Sequence, residues 1–130
     1  MFPDHIVVSE CGNVELNGRY QRECIRCQCG PSTFREYNGA PVYTKKGEWK
    51  GQKVTFAIFR GDLRGPMSMW YIGRSNARQG NYEARERTLF KRETILRKRR
   101  GFHIPLPPKK GWIIIGTTRG GVNPAPTMSY

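Results

Sequence analysis

Two Asn-Gly dipeptides, Asn17-Gly18 and Asn38-Gly39, constrain this chain more than any other feature. A type I′ turn needs positive φ at both central residues, which Asn and Gly tolerate and most pairs do not, so each dipeptide marks a strand reversal. The first lies between Val14-Glu15-Leu16 and Arg19-Tyr20-Gln21, and the second leads into Pro41-Val42-Tyr43. Further along, Lys53 to Arg60 alternates with β-branched and aromatic residues, and Met69-Trp70-Tyr71-Ile72 follows a turn at Gly65-Pro66. Tyr82 to Phe90 is a further strand candidate, and Trp112 to Ile115 is a β-branched run between Gly111 and Gly116. Runs of this kind, bounded by Gly and Pro, read as strands, about six to eight in all.

A chain of 130 residues supports a single core. The predicted fold class is therefore mainly β: a single small antiparallel barrel or sandwich with a short basic helix or extended insertion and an extended C-terminal tail. The domain is expected over 1–118, with a Cys-containing insertion at 21–36 and a basic insertion at 74–104, followed by the tail at 119–130. Within the basic insertion, Thr88 to Arg100 suits either a short helix or a strand with a basic overhang, and a helix ending before Gly101 is preferred for its second half. Phe102 to Pro108 must be extended, because residues before proline are pushed out of the α region. Gly120 to Thr127 reads the same way, as a tail that is ordered only if something holds it.

Charge narrows the functional classes. The chain carries 23 Lys+Arg against 10 Asp+Glu, a formal net charge of +13. Residues 1–42 hold four Arg and five acids, so the whole excess sits in residues 43–130. A surplus of this size in one region repels itself unless a polyanion neutralises it. The longest apolar run, Trp112 to Ile115, is far short of the roughly 18–20 residues a membrane-spanning helix needs, so no membrane span is expected. Met1 to Glu10 has neither the basic start nor the apolar stretch of a leader, and the initiating Met favours a whole chain over one already trimmed.

The order Asn17-Gly18-Arg19-Tyr20, Tyr37-Asn38-Gly39-Ala40-Pro41-Val42-Tyr43, Met69-Trp70-Tyr71-Ile72 and Pro107-Pro108-Lys109-Lys110-Gly111-Trp112 resembles a small β-rich repeat (NG-x-Y, NG-x-P-x-Y, WYI, PP-x-x-GW). That repeat is found in uncharacterised proteins of algae and other unicellular eukaryotes. The resemblance covers most of the chain and implies a β fold and a modular scaffold; it brings no catalytic residues. The Cys-rich and basic insertions depart from the pattern, which makes them the places to look for function.

Cys24, Cys27 and Cys29 form C-x2-C-x-C, with Cys11 thirteen residues before Cys24. Four thiolates would hold one structural zinc, with His5 or His103 as alternatives to Cys11 for the fourth ligand. Free thiols and disulfides are the competing readings. The expected RNA-binding residues are Arg74, Arg78, Arg85, Arg87, Lys91, Arg92, Arg97, Lys98, Arg99 and Arg100, with Lys109 and Lys110 beyond them. Arg and Lys would contact successive phosphates, Arg through its planar fork. The bland alternative is a solvated face, but Arg97-Lys98-Arg99-Arg100 contains no acid. That tetrad is also compatible with a nuclear localisation signal. Nearby Tyr82, Phe90, Phe102 and Trp112 are candidates for stacking on unpaired bases, although such residues more often form the core.

Neither His5 nor His103 has a Ser or Cys partner at a recognisable spacing, and Gly116 to Gly121 lacks the Gly-Lys-Ser/Thr ending of a phosphate loop. No enzyme is expected, and no small-molecule substrate. The sequence points to a structural, RNA-binding subunit of a large ribonucleoprotein, an accessory protein of an organellar (mitochondrial) ribosome whose partners are rRNA and neighbouring protein subunits. The alternative is a non-enzymatic protein that staples an acidic assembly such as a microtubule lattice. A freestanding module binding peptides or glycans is a third class, one that gains nothing from the charge.

Overall fold

The computed structural model describes residues 2–26, 33–64, 67–75, 88–95, 106–115 and 120–130. In chain order the strands are β1 (His5–Ser9), β2 (Gly18–Arg22), β3 (Cys24–Arg26), β4 (Thr33–Phe34), β5 (Glu36–Tyr37), β6 (Ala40–Pro41), β7 (Tyr43–Trp49), β8 (Gln52–Arg64), β9 (Met67–Ser75), β10 (Thr88–Ile95), β11 (Ile113–Ile114) and β12 (Thr127–Ser129). Eight of them form one antiparallel sheet in the order β11-β10-β9-β8-β7-β2-β1-β12, curled into a half-barrel. The pairs β3-β4 and β5-β6 stand apart from it as two small hairpins. The mainly β class read from the sequence is the class observed. The strand count exceeds the expected range because several strands are only two or three residues long.

Strand alternation explains where the core lies. Tyr43 on β7 faces Ile58 on β8, Ile58 faces Ile72 on β9, Ile72 faces Phe90 on β10, and Phe90 faces Ile114 on β11. Because side chains on a strand point alternately to opposite faces, this register puts all five on the inner surface. There they pack with Ile6, Leu16, Tyr20, Phe56, Trp70, Trp112 and Met128. Between them, Ala57 and Phe59 point outward and are nonetheless fully buried, forming a smaller cluster with Val42 against Tyr37 and Tyr71. Tyr37 belongs to the β5-β6 hairpin, which therefore lies against the outside of β8.

The two Asn-Gly dipeptides behave differently. Asn38 and Gly39 have φ of 51° and 76° and close the β5-β6 hairpin, as expected. At the other site Val14–Leu16 is a 3-10 turn instead of a strand, and Asn17 is extended at φ −70°, ψ 142°. Asn17 acts through its side chain: Oδ1 accepts the Cys11 N–H at 3.0 Å, and Nδ2 donates to the Cys11 carbonyl at 3.2 Å. The amide thus pairs with the Cys11 backbone as a neighbouring strand would. A second positive-φ pair, Lys50-Gly51 at 50° and 79°, reverses the chain between β7 and β8.

The C-terminus also departs from the expected tail. Thr127–Ser129 enters the main sheet as β12, paired with Val7 to Ser9. It is held by this chain's own first strand. The segment ahead of β11 spans to it, since Met128 N–H donates to the Lys109 carbonyl at 2.8 Å and the Tyr130 hydroxyl to the Pro107 carbonyl at 2.8 Å. As Ile115 N–H reaches the Leu89 carbonyl at 3.0 Å, residues 106–115 form a strap that ties the two edges of the curled sheet together. Thr88–Ile95 is a strand; the helix preferred after it falls at residues outside those described.

Candidate nucleic-acid interface

Of the twelve cations expected to contact RNA, five lie among the described residues: Arg74, Lys91, Arg92, Lys109 and Lys110. Arg78, Arg85, Arg87, Arg97, Lys98, Arg99 and Arg100 lie outside them. Lys91 and Arg92 lie on β10, and Lys109 and Lys110 on the strap. Lys91 faces outward on β10, because its neighbour Phe90 faces the core. Arg92 Nε donates to the Lys110 carbonyl at 3.1 Å and Nη1 to the Glu93 carbonyl at 2.7 Å. Gly111 makes room for this guanidinium: a Cβ there would stand 2.6 Å from Arg92 Nε, and its φ of +87° suits glycine. Arg92 is thus a positioning residue for the strap. Lys109 and Lys110 are exposed, with Lys109 Nζ 4.9 Å from the Tyr130 ring centroid.

Arg74 belongs elsewhere. It sits opposite Phe56 near the far end of β9, with its guanidinium 5.3 Å from the Trp49 ring centroid. Arg92 pairs with Trp70, four residues back along β9, which separates the two arginines by about 13 Å along the strand.

Other cations are structural, which the sequence did not show. Lys45 points inward between the rings of Tyr20 and Phe56 and donates from Nζ to the carbonyls of Glu15 at 2.7 Å and Asn17 at 2.6 Å. Those carbonyls end the 3-10 turn, and burial lowers the Lys45 pKa. Arg60 is buried, and its Nε and Nη2 both donate to the Asn38 carbonyl, at 3.2 and 2.6 Å, locking the β5-β6 hairpin to β8. Arg22 lies between two aromatic rings, 5.0 Å from Phe2 and 4.3 Å from Phe34.

Two of the stacking candidates are core residues. Phe90 is fully buried, and Trp112 is 4 % exposed with Nε1 donating to the Pro108 carbonyl at 2.7 Å. Neither offers a free ring face. Tyr82 and Phe102 lie outside the described residues. The outward aromatics beside a cation are instead Tyr71 and, around Phe59, Tyr37. Alternation within Trp70-Tyr71 signals that one of those two rings must face out, but not which.

Two of the four cysteines proposed to hold zinc, Cys11 and Cys24, lie among the described residues. Cys11 is tethered to Asn17, just before β2, and Cys24 follows the other end of that strand. An extended strand of that length separates the two by about 15 Å or more. Cys11 instead packs in the core, where burial pushes its thiol up to about 11. Cys24 is half-buried, and Cys27 and Cys29 lie outside the described residues. No group of three or more potential metal ligands occurs among those described. His5, the alternative ligand, has Nδ1 3.2 Å from Arg19 Nη2; His103 is not among the described residues. No helix among the described residues is long and apolar enough to cross a membrane.

No protein-family model, curated protein or solved structure matches this chain.

Proposed function

We propose that this chain is a structural, RNA-binding subunit of a large ribonucleoprotein, an accessory protein of an organellar, mitochondrial ribosome, that grips folded RNA through its phosphates. The observation that carries this reading is the charge imbalance of residues 43–130, which hold nineteen Lys and Arg against five acids. Between described residues the ion pair formed is Arg35–Glu23, Nε to Oε2 at 3.0 Å, and it lies in the near-neutral first third of the chain. From the strongly basic remainder, Lys91 stands on β10 and the exposed Lys109 and Lys110 on the strap, whose backbone is bonded to Met128 of β12 and to Arg92 of β10. A rigid β scaffold presenting fixed cations suits positioning on a phosphate backbone, which needs charge and geometry without base recognition. Nothing in this arrangement requires catalysis or a cofactor.

The test begins with the native particle. Nuclease digestion should release the chain, and replacing Arg97, Lys98, Arg99 and Arg100 by Ala should abolish its incorporation while far-ultraviolet circular dichroism stays unchanged. Release by competition with an acidic protein and not by nuclease would move the assignment to an acidic protein lattice.

A further inference from the structure

The first third of the chain, nearly neutral and unused by phosphate contact, holds an arginine braced by two aromatic rings. Arg22 follows Tyr20 by two residues on β2 and shares its inward face, opposite Tyr43 of β7. Its guanidinium carbon lies over the rings of Phe34 and Phe2, 4.3 and 5.0 Å from their centroids. Both rings stand on segments tied to the sheet. The segment carrying Phe2 is held where Arg22 N–H donates to the Asp4 carbonyl at 2.9 Å and the Tyr43 hydroxyl to the Pro3 carbonyl at 2.8 Å. Phe34 pairs with Cys24 across the β3-β4 hairpin, which Arg35 fastens by its N–H to the Glu23 carbonyl at 2.9 Å and by an ion pair to the Glu23 carboxylate. Lys45 and Arg60 each spend their donors on backbone carbonyls. Arg22 differs: its Nε is buried and has no hydrogen-bond partner among the described residues, and the carboxylate next to it in the chain pairs with Arg35. A guanidinium carries five N–H donors, and desolvating them without acceptors is costly unless a ligand or water completes the group. The side chain as a whole is half-buried and Phe34 beside it is 38 % exposed, so a ligand can approach from outside.

We infer that Phe2, Arg22 and Phe34 form a docking point for the carboxylate of an aspartate or glutamate on a neighbouring protein. The inference goes beyond the RNA reading and does not depend on it. Charge selects the occupant. Residues 1–42 hold five acids against four Arg, so a continuous phosphate backbone laid here would meet carboxylates as well as cations. A single carboxylate brings one charge and two oxygens, which match the planar fork of Arg side by side. The exposed surface of Phe34 then covers the apolar stem of the acidic side chain. Aromatic and Arg side chains recur together in this way at the energetic centres of protein interfaces. Because the rings restrict the guanidinium before binding, little side-chain freedom is lost when the carboxylate arrives.

The experiment follows the Nε–H resonance of Arg22 in the isotope-labelled full chain during titration with acetate, dimethyl phosphate or chloride at matched ionic strength. Acetate should shift the resonance saturably, with a half-saturating concentration severalfold below that of dimethyl phosphate, and chloride should leave it in place. A shift with acetate no larger than with chloride overturns the site. Dimethyl phosphate binding as tight as acetate, or tighter, assigns Arg22 to phosphate and overturns the carboxylate reading. Arg22→Lys supplies a second measurement, because carbodiimide joins an amine to a carboxylate it touches. In native complexes containing that variant, a link from position 22 to an Asp or Glu of another protein, together with the acetate shift, supports the docking point. Links confined to acids of this chain, or none, overturn it. Should Arg22→Lys fail to fold, the acetate titration of the unaltered chain decides the matter. Neither measurement uses RNA, so failure here leaves the nuclease test of the RNA reading untouched, and failure of that test leaves this site standing.

Discussion

Lys45 shows how little a residue's type says about its role in a chain so rich in cations. Its ammonium holds the Glu15 and Asn17 carbonyls and so fixes the 3-10 turn across the inner end of β2. Lys45→Met preserves the apolar stem against Tyr20 and Phe56 but leaves both carbonyls without their donor. A loss of about 1–3 kcal/mol is expected in urea unfolding, the range for hydrogen bonds made by a charged donor. Burial also acts on acidic protons, among them those of Cys11 and Tyr43. The Cys11 thiol is raised from 9.0 to about 11 and the Tyr43 hydroxyl, which donates to the Pro3 carbonyl, from 10.0 to about 12. In both cases desolvation of the charged form is the largest cause. Folding favours the protonated forms, so their stabilisation is complete below pH 9 and is lost as pH rises towards 12. Thermal melts should therefore fall steadily between pH 9 and 12, and Cys11→Ala should flatten the lower part of that fall.

At the scale of elements, the β5-β6 hairpin is the piece whose attachment can be tested alone. It depends on positive φ at Asn38 and Gly39 and on Arg60 reaching the Asn38 carbonyl. Gly39→Val places a β-branched residue at φ 76° with its Cβ 3.2 Å from Arg60 Nη2. The strain should cost about 1–3 kcal/mol and raise hydrogen exchange in residues 36–41 before it affects β7 to β9. This hairpin was legible in the sequence because its turn chemistry is local. Asn17-Gly18 was not, because nothing local distinguishes a turn-forming Asn from one whose amide pairs with the Cys11 backbone. Spacing along the chain likewise says nothing of the strand that stands between Cys11 and Cys24.

For the whole molecule, the decisive feature is how the sheet's two edges are joined. β12 covers β1 on one side and meets the strap on the other, with Met128 4 % exposed in the core. Deleting residues 127–130 should destabilise the fold by at least about 2–5 kcal/mol, the range for losing one buried large side chain. It should also leave β1 as an unpaired edge that promotes self-association, seen as a lower melting temperature and larger species on gel filtration. On the RNA side, log affinity for folded RNA should fall linearly with log salt, with a slope of roughly −0.7 to −0.9 per phosphate neutralised. Removing Lys109 and Lys110 together should make the slope shallower by about two such increments. A slope unchanged by that double substitution would place the phosphate contacts elsewhere on the chain. Composition and alternation by themselves determined that the chain is β-rich and carries its charge in its later part, because strand period and net charge depend only on the order of residues. Only the tertiary structure decided which cations are exposed and which aromatic rings face outward. It also decided that the last residues belong to the sheet, because each of these depends on register and edge pairing between segments far apart in the chain.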